Sequence, residues 1–356
     1  MRLPIGRVIL ATTMLAAGCV RATTGPSIDD TRAELLGYVE DITAADGYRY
    51  DAVDDRGHGL GASKIIPLEA QGLYAIVYFW WDETYDGWTV SLATSTDLLN
   101  WSWRVDLGEY ASQPYIAPAS DGGYVVAWEQ EPPTQDQSHV RLLYYSSWND
   151  LLAAAPSKMF DAERQLSPCA EGTPNIYAAS SARVDFGFHY YADCETDREA
   201  RGTSDWVSWE ATTEVLLDRA VLFQGYRGSI GDRDTIVFRG YPFTFLEAQF
   251  VQNDWRTFRV LLYDEGIGAS DPLSRRYPDV PLGGPYPEMA PTPPSTHVFL
   301  HTHRGSFAFT NFSVTEVTYQ GRPTIVVTVF IPQEGAAPGE VGGLIYYRFY
   351  DEASQD

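Results

Sequence analysis

A five-bladed, all-β propeller is the fold that this sequence predicts, on three observations. Short runs rich in Val, Ile, Tyr, Phe and Trp alternate with Gly, Pro, Asp and Asn, and sustained helical periodicity is scarce. These runs recur in five cycles of roughly 50 to 60 residues, with three or four strands in each, which is the size of a propeller blade. The second run of every cycle is bulky at nearly all positions, as a strand covered on both faces requires. A pair of β-sandwich domains would not explain five cycles of near-equal length.

The elements follow in order. First strands are expected at 61–68, 113–119, 173–180, 233–240 and 305–314, and second strands at 74–82, 124–131, 184–192, 243–251 and 324–332. Third strands are expected at 88–95, 140–147, 258–265 and 343–350. The third cycle is weakest there, where only "ARGTSDW" (200–206) offers itself. "NWSWRVDL" (100–107) is the clearest outer strand, and "YRYDAVD" (48–54) is the candidate to complete the last blade and close the ring. The propeller domain is therefore expected over 47–352.

The preceding residues divide into two parts. "MRLPIGRVILATTMLAAGC" has basic Arg2 and Arg7, an apolar core too short to span a bilayer, and Cys19 at its end. It reads as a signal peptide over 1–19. The "LAAGC" ending resembles a bacterial lipobox, so Cys19 is the expected lipidation site and the only expected link to a membrane. The chain is thus expected in the bacterial cell envelope as a lipoprotein, or secreted. Residues 20–46 form a polar leader in which "RAELLGYVEDI" is a short helix candidate. Cys169 and Cys194 then remain as an even pair for a disulfide in an oxidising compartment. No CxxC or HxxH spacing suggests zinc.

The net charge of −23 would repel a phosphate backbone, which argues against nucleic acid as a partner.

The fragment "LATSTDLLNW" (92–101) resembles a segment of the five-bladed-propeller glycoside hydrolases, namely the family 43 and 62 arabinofuranosidases and xylosidases and the family 32 fructosidases. "YVVAWEQE" and "EGTPNI" extend the likeness into the second and third cycles. The resemblance implies a carbohydrate substrate and acids at the starts of the first strands: a base in blade one, a pKa-setting aspartate in blade two and an acid in blade three. Glu171 in "EGTP" matches the third position. The other two positions hold Gly61 and Ala62, and Gln113.

First strands line a propeller's channel, so residues near their starts should face one another. Glycosidic cleavage needs one protonated and one ionised carboxyl. The expected catalytic set is Glu171 as general acid, Asp232 as base or nucleophile and Asp234 as its neighbour. Asp55, beside Asp54, is a reserve base. The expected substrate-binding residues are His58, Lys64, Gln113, Asn175, Arg233, His303 and Arg304. The cations among these suggest a substrate with acidic groups. The competing reading makes Glu171 a turn cap and the Asp232–Arg233–Asp234 run a structural ion cluster.

No cofactor is expected. An axial calcium near His301 and His303 is the less favoured reading of those histidines, beside a polar contact. Glu129 and Glu131 alternate on one face at the end of a second strand, and are expected to be solvated. Trp80, Trp81, Trp101, Trp103 and Trp128 are candidates for stacking on sugar rings, although most should fill the space between blades. The leading functional expectation is a glycoside hydrolase. A non-catalytic carbohydrate-binding propeller and a polysaccharide lyase using Lys64 and His303 are the alternatives.

Overall fold

The computed structural model of the protein describes residues 26–133, 137–263 and 295–351. Arg2, Arg7 and Cys19, and with them the signal and lipidation readings, lie outside the described residues.

Helix α1 (Ile28–Val39) opens with Ser27 as N-cap, whose hydroxyl accepts from the Asp30 amide while the Asp30 carboxylate reaches back. This reciprocal cap satisfies amides that the first turn would otherwise leave unpaired. Leu35 and Val39 of α1, with Ile42, are fully buried against the last two blades. The leader therefore folds onto the propeller.

After α1, β1 (Gly47–Arg49) leads to four-stranded antiparallel sheets. Blade I is β2 (Gly61–Leu68), β3 (Leu73–Asp82), β4 (Gly87–Ser95) and β5 (Ser102–Glu109). Blade II is β6 (Ala111–Pro118), β7 (Tyr124–Gln130), β8 (His139–Tyr145) and β9 (Lys158–Ala162), with the short helix α2 (Trp148–Leu152) before β9. Blade III is β10 (Glu171–Ala179), β11 (Val184–Ala192), β12 (Thr196–Ser204) and β13 (Trp209–Thr213), followed by α3 (Val215–Phe223). Blade IV is β14 (Ile230–Phe238), β15 (Tyr241–Gln249), β16 (Phe258–Tyr263) and β17 (Ser295–Val298). Blade V is β18 (Thr310–Tyr319), β19 (Arg322–Ile331) and β20 (Gly342–Phe349), and its fourth strand is β1. Gly47 pairs with Tyr347 and Arg49 with Ile345, so the start of the domain closes its end.

Two strands depart from the sequence expectation. In blade III the third strand is β12, "TDREARGTS", whose charged residues join an ion network and so lack the apolar signal of a buried strand. In blade V the first strand begins at Thr310. Residues 302–306 instead turn around Glu340, whose carboxylate accepts from the Thr302 and Ser306 hydroxyls at 2.6 Å each.

Apolar clusters fill the interfaces between neighbouring blades. Trp128 and Trp101 are buried there. At Gly108 an added Cβ would lie 2.6 Å from the Trp128 ring, so that glycine makes room for the indole. The disulfide is present: Cys169 and Cys194, with Cα atoms 5.7 Å apart, join the chain ahead of β10 to the β11–β12 turn.

Each first strand carries the same irregularity. The register slips between Gly61 and Lys64, Ser112 and Tyr115, Gly172 and Asn175, Ile230 and Arg233, and Thr310 and Ser313. Ala62, Gln113, Thr173 and Asn311 sit in these bulges with φ of 38° to 54°, a left-handed conformation that non-glycine residues seldom adopt. The repeated bulge re-aims the residue after it toward the axis.

Candidate functional site

The bulges bring Lys64, Tyr115, Asn175, Arg233 and Ser313 around a hollow of only about 20 Å³ on the axis. Asp234 is fully buried beneath it. One Asp234 oxygen accepts from the Tyr115 hydroxyl at 2.7 Å, and the other from Lys64 Nζ at 2.5 Å, the Ser313 hydroxyl at 2.7 Å and the Val314 amide at 3.0 Å. This hub ties blades I, II, IV and V together. A carboxylate met by five donors, the Thr235 amide at 2.9 Å being the fifth, has no free lone pair directed at a substrate. An axial calcium does not fit, because the Lys64 ammonium already supplies the cation there. Among the described residues, no group of three or more His, Cys, Asp or Glu is arranged to hold a metal ion.

Arg233 turns outward into blade III. Its guanidinium pairs with Glu199 at 2.7 Å and with Glu214, and donates to Asn175 Oδ1 at 3.0 Å and the Ala200 carbonyl at 2.8 Å. Asn175 is thereby a structural partner of Arg233. His58 stacks on Trp80 with centroids 3.6 Å apart, and its Nδ1 lies 3.1 Å from the buried Asp54. Asp55 is exposed and accepts from the Trp103 amide at 2.8 Å. His303 and Arg304 lie in the loop ahead of β18, where His303 rests on Tyr48 and the Arg304 side chain donates to the Pro338 carbonyl. The cations read from the sequence as a positive mouth are therefore dispersed and individually partnered.

Glu171 is buried, but one oxygen accepts from three backbone amides, those of Gln165, Leu166 and Ser167, at 2.5 to 2.9 Å. Burial raises its pKa against the pull of those amides. Its side chain turns away from both the axial hollow and the cavity described next. Gly172, its neighbour, lies against a carboxyl of the adjacent blade. A Cβ there would come within 1.9 Å of the Glu129 carboxylate, so the glycine of "EGTP" leaves room for a carboxyl from the adjacent blade.

That carboxyl opens onto a much larger space. A cavity of about 580 Å³ lies at the same mouth, one strand further out, and its size is that of a small-molecule pocket. Its walls include Trp80, Trp81, Trp88 and Trp255, and its carboxylates are Asp51, Glu129 and Glu131. Gln113 and Asn311 form the wall shared with the axial hollow. The Asn311 amide donates to Gln113 Oε1 at 3.0 Å and to Asp232 Oδ2 at 2.6 Å, which fixes Asp232 behind that wall.

The reading of Glu129 and Glu131 as solvated is corrected here. Each is only partly exposed, and the exposed part faces the cavity. Burial, reinforced by the charge of Glu131, pushes the Glu129 carboxyl up to about 7. Glu131 is also raised by burial, but the Ser112 hydroxyl, donating at 2.5 Å, favours its charged form. Burial thus raises both acids of this wall, and a serine hydroxyl opposes the shift at each. Sequence reasoning missed them because alternation placed both on an outward face. The available signal was a pair of carboxylates ending an otherwise apolar strand.

Behind the cavity more acids gather. Asp232 is raised by burial, and Glu247, whose Oε1 accepts from the Asp232 amide at 3.0 Å, is raised further by burial and by Asp232. His189 lies among them, ion-paired with Glu199 at 3.2 Å. Burial works against its charge, yet Glu199, with Asp197 and Asp232 beside it, holds it up to about 9.

No protein-family profile matches the chain, and no curated protein matches it. Solved structures do share its fold. An α-L-arabinanase from Penicillium chrysogenum complexed with arabinobiose superposes with a TM-score of 0.50 at 10% identity, covering 84% of this chain and 96% of that one. An exo-1,5-α-L-arabinanase from a bovine ruminal metagenomic library gives 0.51 at 12% identity, covering 86% and 97%. A structure described as a glycoside hydrolase gives 0.52 at 8% identity, covering 91% and 96%. The chain has the five-bladed propeller fold of these glycoside hydrolases.

Proposed function

We propose that the protein is a glycoside hydrolase whose chemistry lies in the tryptophan-walled cavity rather than on the propeller axis. The observation that carries this reading is Glu129, a carboxyl that burial pushes up to about 7 and that lines a sugar-sized hollow beside a second carboxyl, Glu131. Glu129 supplies the proton to the leaving oxygen. Glu131, steadied by the Ser112 hydroxyl, activates the attacking water or attacks directly. Asp232 and Gln113 fix the Asn311 amide in the cavity wall, and Glu171 organises the loop that presents Gly172.

The charge of the cavity also bears on substrate. Its described walls hold three carboxylates and no Lys, Arg or His, which favours an uncharged glycan over a uronate. Raised ionic strength should leave turnover of a neutral oligosaccharide nearly unchanged.

The test is a comparison of Glu129→Gln and Glu171→Gln on a panel of neutral oligosaccharides. Glu129→Gln should lose roughly a hundredfold or more in kcat while still binding, since acid–base catalysis contributes about that much. Glu171→Gln should stay near wild type. Full activity in Glu129→Gln, or no turnover by the wild type on any glycoside, would leave a carbohydrate-binding propeller as the better reading.

A further inference from the structure

We propose that His189, held by Glu199, is a positioning residue that sets the protonation of the cavity acids from the neighbouring blade. The inference rests on the cavity being the reactive site.

The geometry comes from the repeat. At the mouth, Ser112 of β6 pairs with Glu129 of β7, and Gly172 of β10 pairs with His189 of β11. Glu129 and His189 thus occupy equivalent rim positions of adjacent blades. The same position in blades I and V, opposite Gly61 and Thr310, holds Phe79 and Phe330. The Glu129 carboxyl reaches across to fill the space over Gly172, which brings it to the residue paired with His189.

The ring is buried, and acids of four strands interact with it. They are Glu199 and Asp197 from β12, Glu129 from β7, Asp232 from β14 and Glu247 from β15. Two cations, Arg233 on one Glu199 oxygen at 2.7 Å and His189 on the other at 3.2 Å, cannot neutralise five acids. Glu199 is ion-paired to His189, while the other four respond to the field of the imidazolium. A positive charge at this point favours the ionised form of each. Its removal would let burial and mutual repulsion keep Glu129 protonated to higher pH. This role needs the charge of residue 189 and not its shape.

His189→Gln and His189→Lys separate the two. The readout is a carbon-13 NMR titration of the Glu129 carboxyl, assigned by its loss in Glu129→Gln, together with the pH profile of kcat. In His189→Gln, Glu129 should titrate about one pH unit higher, and the alkaline limb of the profile should move with it. His189→Lys, which restores a cation, should return both toward wild type. A His189→Gln protein that is less stable but has an unmoved Glu129 titration would overturn the inference, and so would a shift that His189→Lys does not reverse. If His189→Gln does not fold, His189→Asn gives the same reading. The titration is independent of turnover. A shift without activity on any glycoside would sink the hydrolase reading and leave this inference standing.

Discussion

On the axis, Asp234 is met by an ammonium, two hydroxyls and two amides. In the cavity one strand further out, Glu129 has the Thr173 amide at 3.2 Å, the Thr173 hydroxyl at 3.4 Å and the Ser138 hydroxyl. Both carboxyls are enclosed by protein. The first is saturated by strong donors and serves as a rivet between blades. The second is desolvated with weak donors and a charged neighbour, which is how a carboxyl becomes an acid at neutral pH. The difference between the two regions lies in how many donors answer each oxygen, and burial alone would not distinguish them.

That comparison can be broken in several ways. The largest effect on stability is expected at the axis. Asp234→Ala strands the buried Lys64 ammonium and should cost about 3–5 kcal/mol in urea unfolding, as removal of one partner of a buried pair does. A loss under about 1 kcal/mol would mean that the axis is wet and the hub idle.

The pH dependence of stability comes next. Folded Glu129 (about 7) and Asp218 (about 8, raised by burial) lie above their unfolded values of roughly 4, so the native state binds the extra protons between those limits. Their effect is to lower stability as pH rises through that window. His189 has the same sign, because its folded value of about 9 exceeds an unfolded value near 6.5, and its contribution is lost as pH climbs through 9. The Tm should therefore fall steadily from about pH 5 to 9. A Tm that rises over this range would contradict the assignment of these groups.

The smallest effect is expected at Glu171. Its replacement by Ala removes one acceptor shared by three amides and should cost about 1–3 kcal/mol, with kcat little changed.

Much of the propeller was legible because blade strands announce themselves by β-branched and aromatic runs at a constant period. What escaped notice is instructive. β12 was hidden because its inward residues are charged and answered by Arg233 and His189 rather than by apolar neighbours. The "LATSTDLLNW" segment was visible but is structural: Ser95 and Asp97 accept the amides of the turn at Leu98 to Asn100 and seat Trp101 in the core. The site itself was sought at first-strand openings, where Asp232 and Asp234 indeed stand. The bulge residues and the Lys64–Asp234 hub close that axis, and the open space lies beside the second strands. No local pattern reports which of two neighbouring carboxyls, Glu171 or Glu129, faces a cavity. That depends on Gly172, which belongs to the next blade and leaves room for the Glu129 carboxyl only once the two blades pack together.

One measurement bears most directly on the difference between axis and cavity: a side-chain carboxyl titration by carbon-13 NMR of the wild type beside Glu129→Gln. A glutamate carboxyl titrating near pH 7 in the wild type and missing from the variant is the predicted result. A Glu129 signal that titrates in the ordinary range, near about 4.3, would contradict the account.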